Sequence, residues 1–185
     1  RSSSRNPCSP CFPQEPPRAV LSTHPAMAAI RAAMATVRRA VKTAPRTASW
    51  QKIAPREAIV ARLQEINSDP PLIAFGGYRV AFRLSECEVV KIDILPNYSS
   101  QSSVEAARWR KWPIDVAENV CPVIGHGVIS GRNWLVMAFA SRFDAERLSD
   151  ASLRDFKRFA STVTTDTGDG NFGMLCGRPV VLDYG

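Results

Sequence analysis

The sequence predicts an α+β fold: an antiparallel sheet crossed by one helix, followed by a short helical region and a terminal β-hairpin. Three observations carry this. Five short segments rich in β-branched and aromatic residues read as strands: Leu72–Phe75, Tyr78–Leu84, Glu88–Ile94, Val123–Ile129 and Asn133–Phe139. One helical segment, Ser102–Trp112, interrupts them and is stopped by Pro113. A second helix, Ser149–Val163, leads into a loop of Asp and Gly and then the hairpin.

From the start of the chain, residues 1–26 are rich in Ser and Pro, have little to bury and are expected to be disordered. The chain opens on Arg1, so a processed, fused or truncated start is expected, with Met27 and Met34 as alternative starts. Residues 27–70 read as a basic helical extension. In Ala28–Val41, Ile30, Met34, Val37 and Val41 form a narrow apolar stripe opposite Arg31, Arg38 and Arg39. Residues 28–56 contain no acid, which suits weak contact with a membrane surface or nucleic acid, or a transit-like presequence. The plainer reading is a helix that packs loosely on the globular part or frays in solution. Arg56–Ile66 is a second helix presenting Ile59, Val60, Leu63 and Ile66.

The strand and helix segments carry several polar residues with more than one reading. In Glu88–Ile94, Val90, Ile92 and Ile94 share one face; Val89, Lys91 and Asp93 share the other. Lys91 either meets a phosphate or guards a strand edge. Glu105, in the first turn of its helix, either pairs with a cation, complements the helix N-terminus or forms a capping box with Ser102. Gly76-Gly77 is an ordinary hairpin turn or a place where a phosphate approaches the backbone. Asn133–Ala140 by itself is a buried strand. In Ser149–Val163, Leu153, Phe156, Ala160 and Val163 face inward, and Ser152 with Asp155 offers a capping-box start.

Composition bounds the function classes. The 185 residues suit one domain plus an appendage, and 45% hydrophobic with 22% charged residues is ordinary for a globular protein. No run approaches the ~18 apolar residues of a membrane span. Residues 1–56 hold ten Lys/Arg against Glu15, while residues 57–185 hold fourteen against sixteen acids, so the net +7 belongs to the N-terminal part. A nucleic-acid-binding label for the whole chain would misread it. The five cysteines form no framework, since Cys8-x-x-Cys11 has no second pair to close a zinc site. Reduced thiols and a cytoplasmic location are expected. His24 and His126 are isolated.

The chemistry concentrates at the end of the chain. Gly177 lies six residues after Asn171 and six before Asp183, so a hairpin closing there brings those two side by side, with Asp166 upstream. Two hard oxygen ligands at one point suit magnesium, which takes its other ligands from phosphate and water.

Asp166-x-x-x-x-Asn171, followed by a hairpin ending in Asp183-Tyr184-Gly185, resembles the protein-kinase-like superfamily. That superfamily includes eukaryotic-type protein kinases and aminoglycoside-phosphotransferase-like enzymes, and the likeness is to a short bacterial or phage form. It covers roughly residues 72–185. The resemblance implies a kinase-like small lobe over 71–141 and a partial helical lobe over 142–185. It also implies ATP and Mg2+ as cofactors, and transfer of the γ-phosphoryl group to a hydroxyl of an unidentified protein or small molecule. On this likeness Lys91 holds the α/β-phosphates and Glu105 pairs with it. Asp166 accepts the acceptor's proton, and Asn171 and Asp183 hold the metal. Gly76 and Gly77 cover the phosphates, Met137 is the gatekeeper, and Ala138 and Ala140 offer backbone groups to adenine.

The departures are specific. The glycines are two and adjacent instead of three and spaced, and Thr164 and Gly168 stand where a loop histidine is usual. The activation segment and substrate platform that would follow Gly185 are missing from the sequence. Two alternatives follow: a nucleotide-binding pseudokinase or inactive fragment, and a basic-helix interaction protein on a kinase-like scaffold.

Overall fold

The computed structural model describes residues 26–48, 54–95 and 101–184. The disorder expected for the first residues, the Cys8 and Cys11 pair, and Gly185 of the terminal triplet lie outside the described residues. The fold is mixed α and β, with an antiparallel sheet at its centre.

Helix α1 is Met27–Thr43 and α2 is Arg56–Glu65. In α1 the buried residues are Ile30, Ala33, Met34, Val37 and Ala40. Alanines thus widen the stripe that the larger side chains begin, and Val41 lies at its partly buried margin. Arg31, Arg38 and Arg39 point outward and are exposed. In α2, Ile59, Val60 and Leu63 are buried.

The main sheet holds β1 (Leu72–Phe75), β2 (Arg79–Arg83), β3 (Glu88–Asp93), β4 (Val123–Ile129) and β5 (Arg132–Ala138). Its order is β1-β2-β3-β5-β4, and every neighbouring pair is antiparallel. Between β3 and β4 the chain forms α3 (Gln101–Lys111) and a single turn, α4 (Ile114–Ala117). Lys91 therefore stands on a central strand, flanked by β2 and β5, which removes the edge-guarding reading.

Alternation along the strands gives the sheet two different faces. Val80, Phe82, Val90, Ile92, Trp134 and Val136 pack with Ile30, Met34, Val37, Ile59 and Leu63 of the two N-terminal helices. The helical segment expected as an extension thus shares the sheet's core. Each large side chain so removed from water contributes roughly 1.5–3 kcal/mol before entropy is counted. Leu135 and Met137, the intervening residues of β5, point the other way, toward Ala106 of α3 and the C-terminal part of the chain.

That part holds a strand missed in the sequence, β6 (Ser141–Arg142), then α5 (Asp150–Val163), β7 (Phe172–Leu175) and β8 (Arg178–Val181). The last three strands form a second sheet in the order β6-β7-β8. Two residues are too few for a periodicity to register, so β6 is defined only by its pairing with Met174 and Gly173. The expected capping box at Ser152 and Asp155 is not used. Ser149 caps α5 one turn earlier, its hydroxyl accepting from Ser152 N at 3.2 Å, while Asp155 lies 3.9 Å from Arg158.

The β7–β8 turn is two residues long, Cys176 at φ 53° and Gly177 at φ 80°. Two consecutive positive-φ residues match the twist of the flanking strands, which explains the glycine at the second position. Phe143, Phe156 and Phe172 hold this sheet to α5, with ring centroids 5.1–5.8 Å apart. An isolated bridge between Val120 and Val181 ties the hairpin to the segment before β4.

Candidate functional site

A cleft of about 240 Å³ opens between the inner face of the main sheet and the open end of the β7–β8 hairpin. Its walls include Gly76 and Gly77, Arg79, Lys91, Met137 with Ala138 and Ala140, and Asn171 with Asp183. Ten sequence positions were expected at the site, and the cleft wall takes eight of them. The other two, Glu105 and Asp166, diverge sharply.

Glu105 lies behind the wall, fully buried on α3. It accepts from Lys91 Nζ at 3.3 Å, from Arg79 Nη2 at 2.9 Å and from the Tyr184 backbone N–H at 3.3 Å. The capping reading of Glu105 is thereby set aside: Ser102 is buried too, and its hydroxyl donates to Asp93 at 2.8 Å. A carboxylate without solvent requires such donors, because unpaired buried charge costs far more than an exposed ion pair yields. Lys91 also donates to the Leu182 carbonyl at 2.6 Å, which joins the main sheet to the hairpin.

The hairpin does what its spacing requires. Phe172 pairs with Val181, and Asn171 accepts at its carbonyl from Leu182 N at 2.7 Å. Asn171 and Asp183 consequently reach the same end of the ribbon and both line the cleft. Tyr184 is fully buried; its hydroxyl donates to the Cys121 carbonyl at 2.8 Å, and Arg108 donates to its own carbonyl. The residue after Asp183 thus anchors the end of the hairpin.

Asp183 is paired with Arg79 Nη2 at 2.7 Å. Burial pushes its carboxyl up, but Lys91 and Arg79 outweigh burial and hold the group well below the usual carboxylate range. For Arg79, burial opposes the charge, and Glu105 and Asp183 more than restore it. Burial also pushes the Cys121 thiol, at the back of the cleft, up to about 12, so it carries no thiolate at neutral pH.

Asp166 is exposed and does not line the cleft. Its carboxylate accepts from Gly168 N at 3.1 Å, the self-bonding turn that aspartate favours before glycine. A 3-10 turn at Asp169–Asn171 presents Gly170 and Asn171 to the cleft instead, and Asn171 Nδ2 lies 3.4 Å from the Asp166 carbonyl.

The expected adenine contacts are split. Ala138 N–H donates to Pro122 O at 3.1 Å and its carbonyl accepts from Cys121 Sγ at 3.0 Å, while Phe139 N–H donates to Cys87 O at 2.7 Å. The Ala138 N–H and carbonyl already have protein partners, so of the two alanines Ala140 is the better placed to meet a ligand. Gly76 and Gly77 lie over the cleft, with Gly76 N–H bonded to Arg79 O at 2.8 Å. A Cβ at Gly77 would meet nothing within 4 Å, and one at Gly76 only the Arg79 carbonyl at 3.8 Å. Packing within the chain therefore does not require glycine at either position.

Two residues escaped the sequence reading. Arg56, at the start of α2, donates from Nε and Nη2 to the carbonyls of Gly76 and Gly77 at 2.6–3.1 Å, pinning the glycine turn from outside. Nothing in its surroundings in the sequence marks that role. Arg79 had a signal: it alternates with Val80 and Phe82, which face the apolar core, and so falls on the face of Lys91.

One carboxylate and one amide oxygen suit a magnesium ion that takes its remaining ligands from phosphate and water. They are not a protein cage, and no group of three or more His, Cys, Asp or Glu gathers among the described residues. No helix among them is long and apolar enough to cross a membrane. No protein-family model matches this chain, and no curated protein is significantly similar to it.

Proposed function

We propose that the protein binds ATP in this cleft and transfers its γ-phosphoryl group to a hydroxyl of a protein or small molecule. The observation that carries the reading is one cleft lined by Lys91, Asn171 and Asp183, with buried Glu105 paired to Lys91 from behind the wall. Four polar residues from three separate stretches of chain converge there, under a glycine turn whose bareness the fold itself does not need.

On this reading Glu105 fixes the Lys91 ammonium, which meets the α/β-phosphates. The glycine turn lets backbone approach the phosphates closely, and Arg56 holds that turn in place. Met137 and Ala140 border the base. Asn171 and Asp183 would hold magnesium, which when bound neutralises charge on the transferred group. Asp166 takes the acceptor's proton, for which its carboxylate must turn from Gly168 N toward the cleft. Catalysis of this kind is positioning and electrostatics, so misplacement of any one group is costly.

The exposed, self-bonded Asp166 favours a second reading, a nucleotide-binding protein without transfer. The interaction role of the basic helix is weakened in its membrane form. The apolar stripe that would enter a lipid surface is occupied by the core, leaving the exposed arginines of α1 for an acidic partner.

Calorimetry with ATP, followed by an assay of γ-phosphate transfer to water and to a panel of hydroxyl compounds, separates these readings. The proposal expects binding that Lys91→Ala abolishes, and transfer that Asp166→Asn and Asp183→Asn abolish. Binding without any transfer would support the second reading, and folded protein without binding would refute both.

A further inference from the structure

Arg79 is the least expected member of the cleft. It opens β2 opposite Asp93 of β3, and it lies on the same face as Ala81 and Lys91. Only 5% of it is exposed. Its direct cross-strand neighbour Asp93 is bonded to Ser102, and the guanidinium reaches past it to Glu105 and Asp183. Two cations of the cleft wall, Arg79 and Lys91, are thus paired with two carboxylates, Asp183 on the wall and Glu105 behind it, before any ligand enters.

A purely structural ion pair is the plain alternative. Two observations count against it. Glu105 already accepts from Lys91 and from the Tyr184 N–H, so it does not depend on Arg79 for partners. Arg79 Nη1 is buried with no hydrogen-bond partner, as is Asp93 Oδ2 on the neighbouring strand, so the ion pairs of Arg79 leave one of its donors unused at a cost. A phosphate oxygen would give that donor an acceptor. A guanidinium offers parallel donors in a fixed fork that matches phosphate oxygens, whereas lysine acts as a point charge.

The position at Asp183 adds a second consequence. A divalent cation placed on that carboxylate must sit beside, or displace, a guanidinium nitrogen already 2.7 Å from it. Arg79 and the metal therefore compete for Asp183. When a polyphosphate enters, Arg79 can keep Asp183 neutralised through Nη2, while a rotation of the guanidinium brings the buried Nη1 to a phosphate oxygen.

We propose that Arg79 is a phosphate-binding residue that stands in for the divalent cation at Asp183, so that this cleft binds the polyphosphate of a nucleotide without magnesium. The proposal rests on the nucleotide-binding reading above and specifies how that site is charged. Magnesium then serves transfer, not binding.

The test is calorimetric titration of ATP into the full chain, once in excess EDTA and once in excess magnesium, for the wild type, Arg79→Met and Arg79→Lys. Thermal melts establish that each variant is folded. The wild-type affinities in the two conditions are expected to agree within about threefold. Arg79→Met should lose at least about tenfold in EDTA and recover in magnesium, because the guanidinium no longer competes with the ion at Asp183. Arg79→Lys keeps the charge without the fork and should fall between the two. Wild-type binding that appears only with magnesium would overturn the proposal and leave the nucleotide site standing, and this result needs no variant to fold. Arg79→Met indistinguishable from wild type in EDTA would overturn it as well. No binding in either condition would refute the nucleotide reading itself, and this inference with it.

Discussion

The two faces of the main sheet differ in what they bury. On the outer face Val80, Phe82, Val90 and Ile92 meet α1 and α2, and the named contacts are apolar. On the inner face the same strands carry Arg79 and Lys91 against buried Glu105, with Asp183 closing the cluster. Apolar contact is the economical way to stabilise a fold. A buried charge cluster of similar volume gains little or nothing in stability over well-packed hydrocarbon, because desolvation offsets its Coulombic attraction. The outer face is apolar throughout its named contacts, and the inner face is where the proposed ligand would meet charge.

Substitutions on the two faces should separate stability from binding. The largest stability effect belongs to Phe82→Ala, which empties a fully buried position: about 3–5 kcal/mol lost in denaturant unfolding, with ATP affinity of the folded protein unchanged. Met34→Ala should follow at about 2–5 kcal/mol, which tests directly whether α1 belongs to the core. If it costs nothing, the helix is detached in solution and the comparison of faces loses one side. Lys91→Ala reverses the balance. Glu105 keeps Arg79 and the Tyr184 N–H, so the stability cost should be about 1–3 kcal/mol while ATP binding falls below detection in calorimetry.

The inner face should also show its charge in acid. Asp183 has a folded-state pKa held below its ordinary value of 3.8, so its contribution is fully present above that pH and is lost as pH falls toward the folded value. Thermal melts of the wild type should drop more steeply below about pH 4 than those of Asp183→Asn. Parallel curves would mean that the Arg79–Asp183 pair does not form in solution. The smallest stability effect is expected for Gly77→Ala. Open space surrounds the added methyl, so stability should change by less than about 0.5 kcal/mol, while ATP affinity drops several-fold if phosphate occupies that space.

The strands and helices were legible because each long element repeats its pattern. Leu72–Phe75 and Val123–Ile129 agree to the residue, and the other three strands of the main sheet differ by one at their ends. The hairpin was legible because Gly177 fixed the register that joins Asn171 to Asp183. What escaped was non-local. No local pattern distinguishes Glu105 as a cap from Glu105 as a buried partner; that depends on where β3 and the hairpin end lie. The spacing of Asp166 to Asn171 likewise does not reveal that a local turn holds its carboxylate outward. The role of α1 was underread because its stripe was judged by large side chains alone, and Ala33 and Ala40 complete it.

The central claim is that phosphate lies against Lys91, and affinity labelling tests it most directly. An ATP analogue bearing a terminal acyl phosphate transfers its acyl group to a lysine within reach of the phosphates, and peptide mass spectrometry identifies the modified residue. The account predicts that Lys91 is acylated first and that excess ATP protects it. Modification spread over exposed lysines such as Lys42, Lys111 and Lys157, with Lys91 unlabelled and no protection by ATP, would contradict it.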